Sequence, residues 1–118
     1  MKYTGTIIAE SLLSDSVLNF VDQKAKETAE LADPAADQPK MVTILTIEVG
    51  DDLVGAVADE ISRNLKPGHW YADIGNEYEK TIIFPNKLFK FTPKETEKRQ
   101  KAFDYAQSLK IPESQIDF

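Results

Sequence analysis

Two kinds of hydrophobic pattern divide this chain into strand-like and helix-like segments. In residues 41–49 and 80–84, β-branched and aromatic residues form short dense runs, which is typical of buried strands. Between them, apolar positions recur about every 3.6 residues and predict one amphipathic helix. That helix carries its apolar stripe at Leu53, Val54, Val57, Ala58, Ile61 and Leu65.

The first forty residues predict a strand, a helix and a loop. Residues 3–12 are rich in threonine and isoleucine, which favour a strand. The serines and aspartate of residues 14–16 are typical helix N-caps, and a helical spacing of small and apolar residues follows them. Its positions are Val17, Leu18, Val21, Ala25 and Thr28. Residues 31–40 contain two prolines and no apolar period, so we expect an exposed surface loop and the most mobile part of the protein.

The second half predicts a strand, a hairpin and a second helix. Residues 69–74 alternate, with Trp70, Ala72 and Ile74 on the apolar face, and residues 87–91 form a strand that follows the turn residues 85–86. Residues 92–95 (Thr-Pro-Lys-Glu) have the pattern of a capping box, which predicts a helix from there to about residue 110. In the tail, Ile116 and Phe118 alternate with polar residues and predict a short edge strand.

The order of these elements predicts an α+β fold. From residue 41 onward it is strand, helix, strand, hairpin, helix and strand, which matches the ferredoxin-like (split βαβ) arrangement. Residues 3–12 and the helix after them would then be an N-terminal strand–helix addition. The alternative is an open α/β mixed sheet with parallel crossovers, built from residues 3–12, 41–49 and 69–74. Both arrangements treat residues 1–118 as a single domain.

Composition and charge exclude several classes of protein. An apolar fraction of 42% argues against a disordered chain, and the absence of cysteine excludes disulfides and thiolate chemistry. The sequence has neither a secretory signal nor a membrane-spanning run, so we expect a cytoplasmic protein with no membrane partner. Residues 63–101 carry a net +4 and the rest −10, but the overall charge of −6 argues against nucleic-acid binding, and none is predicted.

Candidate chemistry centres on the only histidine, His69. As a general base it needs a carboxylate to orient its ring. Asp73 lies on the same strand face, but four residues of strand span roughly 13 Å, so a carboxylate must come from elsewhere. We expect Glu10 or Glu48 to supply it from a neighbouring strand. Tyr71 and Asp73, which share the strand face of His69, are predicted to contact a ligand.

No metal or cofactor is predicted. Glu48, Asp51 and Asp52 lie at a strand end and a helix start, where acidic side chains are already favoured by the helix dipole. Residues 50–55 have glycines at phosphate-loop spacing, but they lack the Lys-Ser/Thr that a phosphate loop requires.

Three segments carry a resemblance to known proteins. TGTIIAESLL near the start, NLKPGHWYAD in the middle and SLKIPESQIDF at the end are similar to a group of small bacterial and archaeal proteins of uncharacterised function. The resemblance spans the whole length and includes no catalytic motif. It implies a compact cytoplasmic domain and supplies no activity.

These observations favour a non-enzymatic small-molecule-binding or regulatory module. The alternative is a small enzyme that uses His69 with Glu10 or Glu48 for acid–base chemistry. We also expect a homodimer formed through a sheet edge or face, since the strands offer apolar side chains for covering. The candidates for that interface are Tyr71, Ile82, Phe89 and Phe91. A cavity that holds His69, Tyr71 and a nearby carboxylate would favour the enzyme.

Overall fold

In a computed structural model that describes residues 1–118, six antiparallel strands form one open sheet and two α-helices pack against it. The strands are β1 (Lys2–Ile8), β2 (Asp22–Glu30), β3 (Met41–Gly50), β4 (Ala72–Gly75), β5 (Lys80–Phe84) and β6 (Lys87–Phe91). The helices are α1 (Val54–Asn64) and α2 (Thr96–Ser108), and short 3-10 turns cover Ala9–Ser11, Ser16–Phe20 and Glu113–Gln115. The strand order is β2-β3-β1-β4-β5-β6, so the α+β class is confirmed. Neither helix has the length and apolar character that a bilayer-spanning helix requires.

The two helices lie on opposite faces of the sheet. Along β5, Ile82 and Phe84 join the core beneath α2, whereas Ile83 between them joins the core beneath α1. This is the two-residue alternation of a strand that is buried on both faces. The core beneath α1 is the larger and takes side chains from β1, β3, β4 and β5.

The apolar side chains of β6 are covered within the chain. Phe91 is buried beneath α2, and Phe89 packs edge-on against Phe84 and beside Tyr105 of that helix. Helix α2 already occupies the face that Phe89 and Phe91 share, which disfavours the dimer interface expected there; the dimer itself stays a prediction.

One part of the sheet remains open to solvent. On the face that carries α2, strands β1 and β3 have no helix above them, and Thr4 and Thr6 of β1 are exposed. Threonine is compatible with this position because it fits a strand and tolerates water. The open part of the face borders the candidate functional site described below.

The helix predicted after residue 16 is wrong. Ser16–Phe20 forms a short 3-10 turn with Val17 buried, and β2 then pairs with β3 over Asp22–Glu30. Almost every residue of β2 is exposed, so its small and polar residues have no core-facing stripe to hold a helix in place. Pairing with β3 provides a continuous ladder of backbone hydrogen bonds instead.

The ferredoxin-like arrangement is not confirmed. Because β3 and β4 are both antiparallel to β1, which lies between them, β3–α1–β4 does form one split βαβ unit. The strand inserted in it is the N-terminal one, however, and no strand follows α2. The tail forms a 3-10 turn, with Ile116 and Phe118 packed against the α2 core, so the predicted edge strand is also wrong. The mixed-sheet alternative has the correct neighbours in β3, β1 and β4, but all pairings are antiparallel.

The start of α2 differs from the predicted capping box. The helix begins at Thr96, and the Glu95 carboxylate accepts a hydrogen bond from the Thr92 backbone N–H at 3.0 Å. The Thr92 hydroxyl caps no backbone N–H of the helix. Half of the reciprocal capping arrangement is therefore present, and the N-cap of α2 is Glu95, three residues after the predicted cap Thr92.

Candidate functional site

A cavity of about 220 Å³ lies between the open part of the sheet and the C-terminal segment. Its sheet wall contains Ile8 of β1 and Ile44 of β3, and its far wall contains Gln115 and Asp117. His69, Tyr71 and Asp73 line it as well, so the structure brings together three of the five predicted site residues. They share the cavity because they are alternate residues in one extended segment that leads into β4.

Two glutamine side chains hold the walls of this cavity together. Gln38, from the segment between β2 and β3, is buried, and its Nε2 donates to the His69 carbonyl at 2.8 Å. The amides of Gln38 and Gln115 exchange hydrogen bonds at 3.1 and 2.9 Å. Gln115 Nε2 also donates to the Ala32 carbonyl at 2.8 Å. Residues 31–40 lack helix or strand, as predicted, but the burial of Gln38 contradicts an entirely exposed loop.

His69 is oriented by Asp37 rather than by either predicted carboxylate. The Nδ1 atom of His69 lies 2.6 Å from Oδ1 of Asp37, and both side chains are partly exposed. A carboxylate on Nδ1 fixes the ring and leaves Nε2 for a ligand or a proton. The structure shows no protein hydrogen bond to Nε2. The expectation that Glu10 or Glu48 fills this role is wrong, because both are bound elsewhere.

Glu10 and Glu48 are structural side chains outside the cavity. The Glu10 carboxylate accepts hydrogen bonds from the backbone N–H and the hydroxyl of Thr43, at 2.7 and 2.9 Å. Burial of this carboxyl opposes ionisation, but the hydrogen bonds outweigh it and lower the pKa of Glu10. Glu48 pairs with Lys2 at 3.6 Å and with Lys24 at 3.8 Å. Glu10 thus connects the turn after β1 to strand β3. Glu48, on β3, links that strand to β1 and β2.

Tyr71 attaches the C-terminal segment to the sheet. Its hydroxyl oxygen lies 2.7 Å from both the Gln115 carbonyl and Oδ1 of Asp117, two acceptors that share its single proton. Its ring packs edge-on against Phe118, with ring centroids 5.5 Å apart. Burial, and then the hydrogen bond to Asp117, raise the pKa of Tyr71 well above its ordinary value. The hydroxyl therefore stays protonated and acts as a hydrogen-bond donor.

Asp73 is a carboxylate in the cavity wall that no protein side chain hydrogen-bonds. Its strand partner in β1 is Thr6. Burial raises the pKa of Asp73, and the charge of Asp117 adds to this; the charge of Lys80 and a hydrogen bond from the Thr6 backbone act in the opposite direction. A desolvated carboxylate of this kind gains from a ligand that supplies a positive charge or a hydrogen-bond donor.

The residues missed by the sequence come from two distant segments. Asp37 and Gln38 belong to the segment before β3, and Gln115 and Asp117 belong to the tail. The one available signal was the alternation in the tail, which placed Gln115 and Asp117 on one side. No group of three or more His, Cys, Asp or Glu side chains is arranged to hold a metal ion.

A second and larger groove, of about 400 Å³, lies between the Ser16–Phe20 turn and α1. It is mostly apolar, and its basic residue Arg63 is paired with Glu60 at 3.1 Å. The smaller cavity remains the better candidate because it combines apolar walls with a half-buried carboxylate that has no side-chain donor and with an oriented histidine.

Comparison with known proteins provides no relative from which a role could be transferred: no family model, curated protein or solved structure matches the chain. The resemblance of three segments to small uncharacterised bacterial and archaeal proteins stays a prediction.

Proposed function

We propose that the protein is a small-molecule-binding module whose ligand occupies the cavity between the open sheet face and the C-terminal segment. The observation that carries the proposal is the Asp73 carboxylate, which is half-buried in the cavity wall and has no side-chain hydrogen bond. Polar groups in a folded interior normally have partners, so a desolvated carboxylate facing a cavity is typical of a ligand site.

The chemistry of the walls defines the class of ligand. Asp73 and Asp117 contribute negative charge, while Ile8, Ile44 and Leu31 contribute apolar surface. A compact molecule with a protonated amine and a short apolar body complements both kinds of surface. At about 220 Å³ the cavity is smaller than a typical drug-sized pocket of roughly 300–1,000 Å³, which favours a metabolite-sized ligand.

A thermal-shift screen with matched probes tests this proposal. Small primary amines are compared with neutral alcohols and carboxylates of the same carbon skeleton. At a ligand concentration 100 times the dissociation constant, binding stabilises the folded state by about 2.7 kcal/mol. We expect amines to raise the melting temperature of the wild type and to lose this effect in Asp73→Asn.

The matched control is Glu48→Gln, which removes a carboxylate on the same face of the sheet but outside the cavity. It should retain the amine-dependent shift. If no amine stabilises the wild type, or if Glu48→Gln loses the effect as fully as Asp73→Asn, this cavity is not the ligand site.

The second candidate function is acid–base catalysis by His69. The cavity holds His69 and Tyr71, and the Asp37 carboxylate lies 2.6 Å from His69, which is the arrangement expected of an enzyme. In this interpretation Nε2 of His69 accepts a proton from, or donates one to, a ligand that Asp73 holds. NMR of the stabilising compounds, incubated with stoichiometric protein, tests it directly. Conversion that is lost in His69→Asn and reduced in Asp37→Asn would establish an enzyme, and unchanged compounds would leave the binding module.

A further inference from the structure

The outer edge of β2 is the most exposed stretch of regular structure in the protein. β2 is the first strand of the sheet and pairs only with β3, along Asp22–Glu30. Every residue in it is exposed except Ala29, which is half-buried. No other element donates or accepts a backbone hydrogen bond along its outer side. A strand edge of this kind can pair with another strand.

The opposite edge of the sheet is less accessible. β6 has five residues against nine in β2, and both helices contact it. An incoming strand therefore has one long free edge on which to pair, which is the edge of β2.

The sequence of β2 is complementary to itself in one antiparallel register. With a two-fold axis through Thr28, Lys26 of one copy lies opposite Glu30 of the other, and this contact occurs twice by symmetry. Lys26 pairs with Leu45 and Glu30 with Met41 in β3, so both side chains project from the same face of the sheet. Glu27 lies opposite the small side chain of Ala29 in the same register.

Charge disfavours the registers about Glu27 and Lys26, and the register about Ala29 forms no opposite-charge pair. Moving the axis to Glu27 places that residue opposite its own copy, and moving it to Lys26 does the same for the lysine. Within a single chain, Lys26 and Glu30 have few opposite charges near them. Lys26 has no ion pair, and Glu30 meets only Lys40, at 3.9 Å with both side chains exposed. Both are therefore available to a second copy.

We propose that β2 is the homodimer interface, and that two copies pair antiparallel about Thr28 to form one continuous twelve-stranded sheet from two six-stranded ones. Residues 25–31 of each copy face each other in this register. The paired surface is small, so the complex belongs with weak, reversible dimers, with a dissociation constant in the micromolar range. The proposal does not depend on the ligand cavity, since neither Lys26 nor Glu30 lines it.

Charge reversal tests both the interface and the register. Lys26→Glu places two glutamates opposite each other twice, and Glu30→Lys does the same with two lysines. Sedimentation velocity at high micromolar concentration and low salt should show a dimeric wild type, and each single variant should dissociate at least about tenfold more readily. Circular dichroism checks that each variant is folded.

Recombining the charges should restore the dimer. An equimolar mixture of Lys26→Glu and Glu30→Lys forms two opposite-charge pairs across the interface, and so does the double variant with itself. The matched controls are Lys101→Glu and Glu97→Lys, both exposed on α2 and free of ion pairs, and they should leave the dimer intact.

Four results would overturn the proposal. They are a monomeric wild type at high micromolar concentration, folded single variants that remain dimeric, a mixture and double variant that both fail to reassociate, and control variants that dissociate as readily as the strand variants.

Discussion

Truncation of Gln38 tests whether the segment before β3 is a fixed wall of the cavity. Gln38 is 8% exposed, and its amide takes part in four hydrogen bonds. Two involve Gln115, one reaches the His69 carbonyl, and one accepts the Ala35 N–H. Gln38→Ala removes all four bonds at once, and it leaves a buried space where the amide was.

The expected loss in the free energy of unfolding follows from these contacts. A net contribution of about 0.5–1.5 kcal/mol for each hydrogen bond gives an upper range of about 2–6 kcal/mol for four. Gln115 and Ala35 are partly exposed, so their polar groups regain hydrogen bonds with water after the truncation. The His69 carbonyl, in contrast, loses the Gln38 amide that covers it. We therefore expect Gln38→Ala to lower the free energy of unfolding by about 2–3 kcal/mol.

Urea denaturation followed by tryptophan fluorescence measures this change, since Trp70 is next to His69 and is buried. The matched control is Gln107→Ala, because Gln107 is exposed on α2 and its side chain makes no hydrogen bond. A loss below about 0.5 kcal/mol, the range of ordinary surface substitutions, would refute the argument that Gln38 holds the cavity walls together.

Three further predictions follow from the cores and the titrating groups. Phe84→Ala should cost about 3–5 kcal/mol in urea denaturation, because Phe84 is fully buried among three aromatic rings; a loss below about 1 kcal/mol would contradict that packing. Thr92→Ala should change the free energy of unfolding by less than about 0.5 kcal/mol, since the Thr92 hydroxyl caps no backbone N–H of α2 and the backbone N–H that donates to Glu95 is kept; a larger loss would show that the hydroxyl caps α2. Burial raises the pKa of Asp73 in the folded state. Above that pKa the ionised carboxylate lowers the free energy of unfolding. Below the unfolded pKa of about 3.9 the carboxyl is protonated in both states and has no effect on stability. Asp73→Asn should therefore stabilise the protein at pH 7 in urea titrations and lose this advantage as the pH falls below 4, and an equal effect at both pH values would contradict the assignment.

Elements whose signals are local were predictable from the sequence. The hairpin of β5 and β6 has the predicted boundaries, because Asn86 takes the left-handed conformation, at a φ of 57°, that a tight turn requires. Helix α1 likewise follows from its apolar stripe, whose buried members include Val57 and Ile61. In both cases the residues that decide the structure are neighbours in the chain.

The strand β2 and the tail show where local pattern failed. The spacing of Val17, Val21 and Ala25 fits a helix, but pairing with β3 decides the conformation of residues 22–30. A polar edge strand has no period of burial that the sequence could reveal, because both of its faces meet water. The tail alternates like a strand, yet contacts with α2 and Tyr71 hold it in a 3-10 turn.

The candidate site divides along the same line. The sequence by itself determined that His69, Tyr71 and Asp73 share one side of an extended segment, since alternation along a strand is a local property. Only the tertiary structure supplied Asp37 as the partner of His69 and brought the tail over Tyr71, across separations of 32 and 44 residues. Contacts at such separations depend on strand order and chain reversal. Strand order and chain reversal are set by the burial of the whole sheet rather than by any local period. The spacing of residues along the chain therefore does not predict these contacts.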